Sequence, residues 1–341
     1  MKALRMTSQP ARAPELFGDQ WLNSEPLSVR ECHGRPVLLF FCDLAAPHAN
    51  ALIPLINGIH ALYSGYGMTC IGVHSPAFSF ARDPRRVEQW VRKSLILFPI
   101  VTDNERSVLN AYRISSVPSV CLIDAKGDIY DTLGTGLVPE RLERSVQYLL
   151  RQSGYRGELP ILINPAYDRG YRLLPDDVAE LTAGYAHGAL GNPEGYSPEL
   201  AAEYRDPGLH VGGKFYAHGV WRAERDALVF AGGEGYLLCP VEGDETSVLA
   251  EGNGRTVVRL ELDGEPLKIA VMGDDVKKDR NGQTYIAVEE PRAFSVLKNT
   301  SAQPHRLKLI PSAEGTRIYL ISSITFAGRD PLRTDDGHLR N

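Results

Sequence analysis

Hydrophobic and polar residues follow two different periodicities along the chain. In the first part, continuous apolar runs at 37–41 and 69–73 enclose a segment, 47–64, whose apolar residues recur on one helical face. Such runs are typical of strands covered on both sides, and the segment between them predicts a helix. Pro54 lies inside this helix and is expected to kink it.

The same alternation of strands and helices continues to about residue 151. Asp83 and Pro84 predict the start of another helix, as its N-cap and first helical residue. The further predicted elements are helices at 84–95, 107–112 and 139–151 and strands at 99–102, 119–124 and 129–133. Parallel strands joined by helices and ended by a hairpin predict an α/β domain over residues 12–152.

Beyond this domain the pattern changes to short alternating strands separated by glycine-containing turns. Residues 153–196 have no sustained periodicity, and we interpret them as a connector. Residues 197–328 predict an all-β sandwich of jelly-roll type, and 329–341 a flexible tail. The predicted strands are 227–230, 234–239, 256–262, 266–272, 283–288, 293–297, 305–311 and 316–323.

Composition and charge exclude some classes of function. The 341 residues are 43% hydrophobic, with a net charge of -5 and no dense basic patch, so no nucleic-acid partner is indicated. No apolar run approaches the roughly 18 residues of a membrane span, and no cofactor-binding motif is recognisable. Without a signal peptide the sequence as written predicts a cytoplasmic protein, whereas a chain trimmed of a leader would be extracytoplasmic.

The five cysteines include no C-x-x-C pair and no zinc-ligand spacing. Cys70, Cys121 and Cys239 lie within apolar runs, where a buried and inert thiol is expected. Cys32 and Cys42 flank the first strand and are the candidate reactive thiols. Two unrelated thiols remain the simpler interpretation of this pair.

Several short motifs point to one family. Ala46-Pro47-His48-Ala49 follows the first strand, with Pro54 eight residues after Ala46. Val117-Pro118 precedes the strand at 119–124, and residues 72–84 read GVHSPAFSFARDP. These features resemble the thioredoxin fold and, within it, TlpA-like and DipZ-like proteins. In the DipZ-like group a thioredoxin domain is fused to a β-sandwich similar to a carbohydrate-binding module.

The resemblance implies a C-x-x-C pair at 46–49, faced by a cis-proline at Pro118, but alanine occupies both cysteine positions. Thiol–disulfide exchange needs a thiolate at a helix N-terminus and a second thiol one turn away. Two explanations stay open: a natural loss, or an oxidoreductase seen as an engineered double Cys-to-Ala variant. Family members have a buried carboxylate and a tryptophan where this chain has Phe40 and Ala45, which favours natural loss.

A third and weaker alternative is a thiol peroxidase of the redoxin type using Cys42 or Cys32. Such peroxidases have their cysteine in a Pro-x-x-x-Thr-x-x-Cys setting, which this sequence lacks. The sequence therefore predicts a redox-silent thioredoxin-fold protein that acts by binding. Its expected binding surface in the first domain is a groove for a protein or peptide at Val117-Pro118.

Other candidate residues have a commoner structural interpretation. Tyr216, Trp221 and Tyr236 are candidates for stacking on sugar rings, although core aromatics are the more frequent case. His48 is interpreted as a capping or solvent-facing residue. The acidic run at 274–281 has oxygen atoms suited to calcium, but a polar loop is more common, and no metal site is predicted.

Overall fold

The computed structural model describes residues 11–134, 137–161, 178–254, 256–300 and 303–325. The chain divides into two compact units between Arg172 and Leu173. No helix within these described ranges is long and apolar enough to cross a membrane.

The first domain is an α/β unit. Its elements are β1 (Trp21–Leu22), β2 (Val37–Cys42), α1 (Pro47–Tyr63), β3 (Thr69–His74), α2 (Pro84–Lys93), β4 (Ile100–Thr102), α3 (Ser107–Ala111), β5 (Ser119–Ile123), β6 (Ile129–Leu133) and α4 (Pro139–Gln152). The strand order is β1-β4-β3-β2-β5-β6. Strands β2, β3 and β4 are parallel, and β1, β5 and β6 are antiparallel to their neighbours.

Strand β2 is buried at all six residues because both faces of the sheet are covered. Leu38 and Phe40 pack in one cluster with residues of α1, α2 and α4, while Leu39 and Phe41 pack in a second cluster with α3. The α/β architecture predicted for this part of the chain is therefore confirmed. Helix α2 begins as expected, with the Asp83 carboxylate accepting the Arg85 N–H at 3.0 Å, but it ends at Lys93 rather than at 95.

The second domain is all-β, as predicted. Its strands are β7 (Val178–Thr182), β8 (Ala201–Tyr204), β9 (Tyr216–Ala223), β10 (Leu228–Phe230), β11 (Tyr236–Val241), β12 (Glu245–Glu251), β13 (Thr256–Leu262), β14 (Glu265–Pro266), β15 (Lys277–Lys278), β16 (Thr284–Val288), β17 (Arg292–Leu297), β18 (His305–Pro311) and β19 (Arg317–Ile324). They form one 13-stranded sheet in the order β15-β16-β13-β18-β11-β9-β10-β19-β12-β17, with β14, β7 and β8 paired to β13, β19 and β9. Inward-facing residues from both halves of this sheet form a single buried cluster.

The second domain differs from its predicted pattern at 266–272 and at five strands that were not predicted, β7, β8, β9, β12 and β15. Strand β7 lies inside the predicted connector and pairs with β19, while 162–177 of that connector and the predicted tail at 329–341 lie outside the described residues. The strand predicted at 266–272 is wrong. The structure has a two-residue strand followed by a single 3₁₀ turn there, with Ile269 78% exposed.

Strand β9 was not predicted because a glycine interrupts its pattern. Gly219 has φ +88, and a side chain at this position would collide with the Glu234 carbonyl. Glycine is the residue that adopts this backbone conformation at low cost and lets the neighbouring segment approach. Because glycine has a low β-propensity, the sequence pattern does not indicate this strand, which lies between β11 and β10 in the sheet.

Candidate functional site

The site suggested by the sequence lies where β2 leads into α1. Ala46 is the N-cap of α1, with extended backbone and no side-chain cap, and the Ala49 N–H donates to the Ala46 carbonyl at 3.1 Å. Ala46 is half-buried, whereas Ala49 is fully buried in the core cluster below the helix. Pro54 lies inside α1 as expected. The side chains of Pro47 and His48 lie outside the described part of the structure.

Val117 and Pro118 precede β5, which pairs with β2. The peptide bond between them is cis. Val117 is half-buried and packs against the same buried cluster as Ala46, so the fold brings these two predicted site residues onto one cluster. Within the described ranges no backbone hydrogen bond reaches the N–H or C=O of Val117.

A buried carboxylate that the sequence analysis missed lies directly after β2. Asp43 is 3% exposed, and its Oδ1 accepts the Ala45 N–H at 2.9 Å while its Oδ2 accepts the Ala77 N–H at 2.8 Å. The side chain therefore ties the loop after β2 to the loop after β3. The signal in the sequence is an acidic residue immediately following six apolar ones.

His74, the last residue of β3, lies beside this carboxylate. Its ring is fully buried, 5.5 Å from the Trp90 ring, and its Nε2 is 3.7 Å from Asp43 Oδ1. Neither ring nitrogen makes a hydrogen bond to any described residue. Burial lowers the pKa of His74, while the negative charges of Asp43 and Asp103 act in the opposite direction.

The lowered pKa of His74 predicts an acid-sensitive first domain. An ordinary histidine in the unfolded chain has a pKa near 6.5, so below that pH the unfolded state binds a proton that the folded state does not. Above pH ~6.5 the free energy of unfolding should not depend on this histidine. Below that pH it should decrease as the pH is lowered, by at most about 1.4 kcal/mol per pH unit for one proton. Urea unfolding between pH 5 and 7.5 measures this slope.

The variant His74→Phe should flatten that pH dependence while keeping the ring contact with Trp90. Some slope should persist, because burial also lowers the pKa of His60. A slope unchanged by His74→Phe would contradict the assignment.

The carboxyl end of β4 carries a second buried carboxylate. Asp103 is 2% exposed, and its oxygens accept from the Ser75 hydroxyl at 2.9 Å and from the backbone N–H groups of Val108 and Leu109 at 3.1 and 2.9 Å. These bonds fix the start of α3 to the loop after β3. Buried polar groups thus gather at the carboxyl ends of all three parallel strands.

The candidate thiols do not face solvent. Cys32 is 5% exposed and Cys42 is fully buried, and they pack in the two clusters on opposite faces of the sheet. Burial raises the pKa of Cys32, and burial together with the Asp43 charge raises that of Cys42. Burial also raises the pKa of Cys70 to about 12 and of Cys121 to about 11. All five cysteines are free thiols.

The three aromatic residues proposed for sugar stacking do not form an open platform. Trp221 is fully buried and Tyr216 is 2% exposed, so both are core residues. The Tyr236 ring stacks on His218 at 4.9 Å, and the Lys308 ammonium lies 4.6 Å from its centroid.

The acidic run of the second domain is engaged in ion pairs. Asp274 pairs with Lys298 at 2.6 Å and Asp275 with Arg292 at 2.7 Å. Asp279 accepts the backbone N–H groups of Asn281 and Gln283 and so shapes its own turn. Across the described ranges no group of three or more His, Cys, Asp or Glu residues is arranged to hold a metal ion.

Comparison with known proteins supports both halves of the architecture. Residues 11–132 match the AhpC/TSA family, and residues 181–326 match the family described as "Thioredoxin like C-terminal domain". Protein DipZ of Mycobacterium tuberculosis is 26% identical over 303 residues, which are 84% of this chain and 42% of the relative. The chain thus spans about two fifths of the length of the DipZ proteins it matches.

Shorter relatives match the first domain alone. The thiol-disulfide oxidoreductase YkuV of Bacillus subtilis is 23% identical over 141 residues, covering 41% of this chain and 95% of the relative. A crystal structure of a thiol-disulfide isomerase from Corynebacterium glutamicum is 25% identical, with a TM-score of 0.38, covering 40% of this chain and 96% of the other. The chain therefore belongs to the thioredoxin-like superfamily and is related to the DipZ and TlpA-like proteins.

Proposed function

We propose that this protein is a redox-silent member of its superfamily and binds an extended polypeptide at the Val117-Pro118 groove. The observation that carries the proposal is the absence of sulfur at the strand–helix junction, where Ala46 and Ala49 stand. Alanine can neither attack a disulfide nor resolve a mixed disulfide. Relatives such as YkuV are named thiol-disulfide oxidoreductases, and this is the activity that we expect the site to lack.

The buried thiols support the same conclusion, because only an accessible thiolate reacts quickly. We expect the native protein to show no fast reaction with a thiol reagent such as DTNB at pH 7.5, and all five thiols to react in denaturant. Brief labelling of the native protein, followed by peptide mapping, identifies which thiols react rapidly. Rapid labelling at Cys32 or Cys42 would instead favour the peroxidase alternative.

Binding at Val117 rests on its unpaired backbone. An extended chain that pairs with free backbone groups obtains affinity from main-chain hydrogen bonds and specificity from alternate side chains. The N–H and C=O of Val117 are such groups, and the half-buried methyl groups of Val117 and Ala46 offer an apolar contact beside them. The expected ligand is therefore an extended, partly apolar peptide segment.

Carboxymethylated insulin B chain, an extended and thiol-free polypeptide, is a suitable probe. Its titration into the full chain should shift the amide signals of Ser116, Val117 and Ala46 in two-dimensional NMR spectra. Signals of β11 in the second domain are the internal control and should stay in place. Unchanged Val117 signals at 1 mM probe would refute binding at the Val117-Pro118 groove.

A further inference from the structure

The second domain contains a cleft that the proposed function does not use. It is lined by the loop 208–213, by β7 and β19, and by the end of β11 and the start of β18. Its volume is about 720 Å³, within the range of ~300–1,000 Å³ that is typical of small-molecule sites. The lining segments are far apart in sequence and meet only in the folded domain.

One part of the cleft wall is apolar. Leu181, Val241 and Ile321 line it and also belong to the buried core cluster of the domain. Leu209, on the lining loop, is 76% exposed and adds a further apolar side chain. A ligand with a hydrocarbon portion would gain free energy mainly by covering Leu209, because Leu181, Val241 and Ile321 are at most 8% exposed.

The polar part of the wall includes Arg306, Glu242, His210 and His305. Arg306 is exposed, and within the described ranges its guanidinium makes no hydrogen bond or ion pair. An arginine fork binds a carboxylate through two parallel hydrogen bonds. The only acidic residue among the lining residues is Glu242, against one arginine and two histidines.

Both histidines are held by carboxylates that do not line the cleft. His210 Nε2 is 2.6 Å from Asp206 Oδ1, and His305 Nδ1 is 2.7 Å from Asp263 Oδ2. Asp263 also accepts the Arg306 N–H at 2.8 Å and so fixes the backbone beside the guanidinium. The second nitrogen of each ring has no partner among the described residues. One nitrogen of each ring is thus held by a carboxylate.

We propose that this cleft binds a small amphiphilic carboxylate, with its hydrocarbon tail between Leu209 and the apolar wall and its carboxylate at Arg306. The exposed guanidinium of Arg306 is the group on this wall that favours an anionic head. No Phe, Tyr or Trp side chain is among the residues that line the cleft.

Calorimetric titration of the full chain with octanoate tests the proposal. Octanoate should bind saturably with a Kd below about 1 mM, and Arg306→Gln should weaken binding at least tenfold, the loss expected for one charge-assisted bond. Lys308→Gln is the matched control and should leave the Kd unchanged. Lys308 lies two residues along the same strand but pairs with Glu261 at 3.5 Å and does not line the cleft.

Three further probes separate the tail from the head. Acetate should bind at least a hundredfold more weakly than octanoate, and 1-octanol and octylammonium at least tenfold more weakly. Octylammonium binding as tightly as octanoate, acetate binding equally well, or Arg306→Gln having no effect would each overturn the proposal. Arg306 is exposed, so the thermal unfolding of its variant should match that of the unsubstituted protein and exclude misfolding as the cause.

Discussion

Replacing Asp43 with alanine should lower the free energy of unfolding of the first domain by about 3 kcal/mol. The substitution removes the charged acceptor of two backbone N–H groups, the buried one of Ala45 and the partly buried one of Ala77. A hydrogen bond to a charged group contributes about 1.5–3 kcal/mol to stability. Urea unfolding measures the loss, and hydrogen exchange of peptides from residues 37–74 assigns it to this domain.

Asp43→Asn is the matched control because its amide has nearly the same shape. The single amide oxygen can accept only one of the two N–H groups, so the expected loss is smaller, about 1–2 kcal/mol. Peptides of the second domain should exchange as before in both variants. Equal stability of the alanine variant and the unsubstituted protein would show that Asp43 does not tie the two loops together.

The double variant Ala46→Cys/Ala49→Cys should restore at most weak disulfide-reductase activity, within about tenfold of the uncatalysed rate. Position 46 offers a half-exposed thiol at a helix N-terminus, which favours the thiolate. Asp43, however, lies beside residue 45, and its charge already contributes to the raised pKa of Cys42. A carboxylate near an attacking thiol disfavours the thiolate, and Phe40 supplies no proton acceptor.

Insulin reduction at pH 7 by the unsubstituted protein, the double variant and a triple variant that adds Asp43→Asn provides the measurement. The triple variant should react about tenfold faster than the double variant, because removing the carboxylate charge lowers the thiol pKa by about one unit. A double variant with the full rate of a dithiol oxidoreductase would instead support the alternative that the protein is an oxidoreductase whose cysteines were replaced.

The first domain was predictable because its strands and helices carry different local periodicities. A six-residue apolar strand covered on both faces and an amphipathic helix that follows it are visible without tertiary information. Pro84 and Asp83 marked a helix start for a local steric and hydrogen-bonding reason. The central strand β9 was missed because Gly219 carries no β signal and is explained only by the close approach of Glu234.

The sequence by itself determined that residues 46 and 49 carry no sulfur, and it determined the order of an α/β domain followed by an all-β one. Only the tertiary structure decided that Asp43 and His74, 31 residues apart, lie together in the core. Parallel pairing of β2 with β3 places their carboxyl ends side by side. The cleft at Arg306 likewise joins separate segments, and no local pattern encodes contacts that form only when the sheet folds around its core.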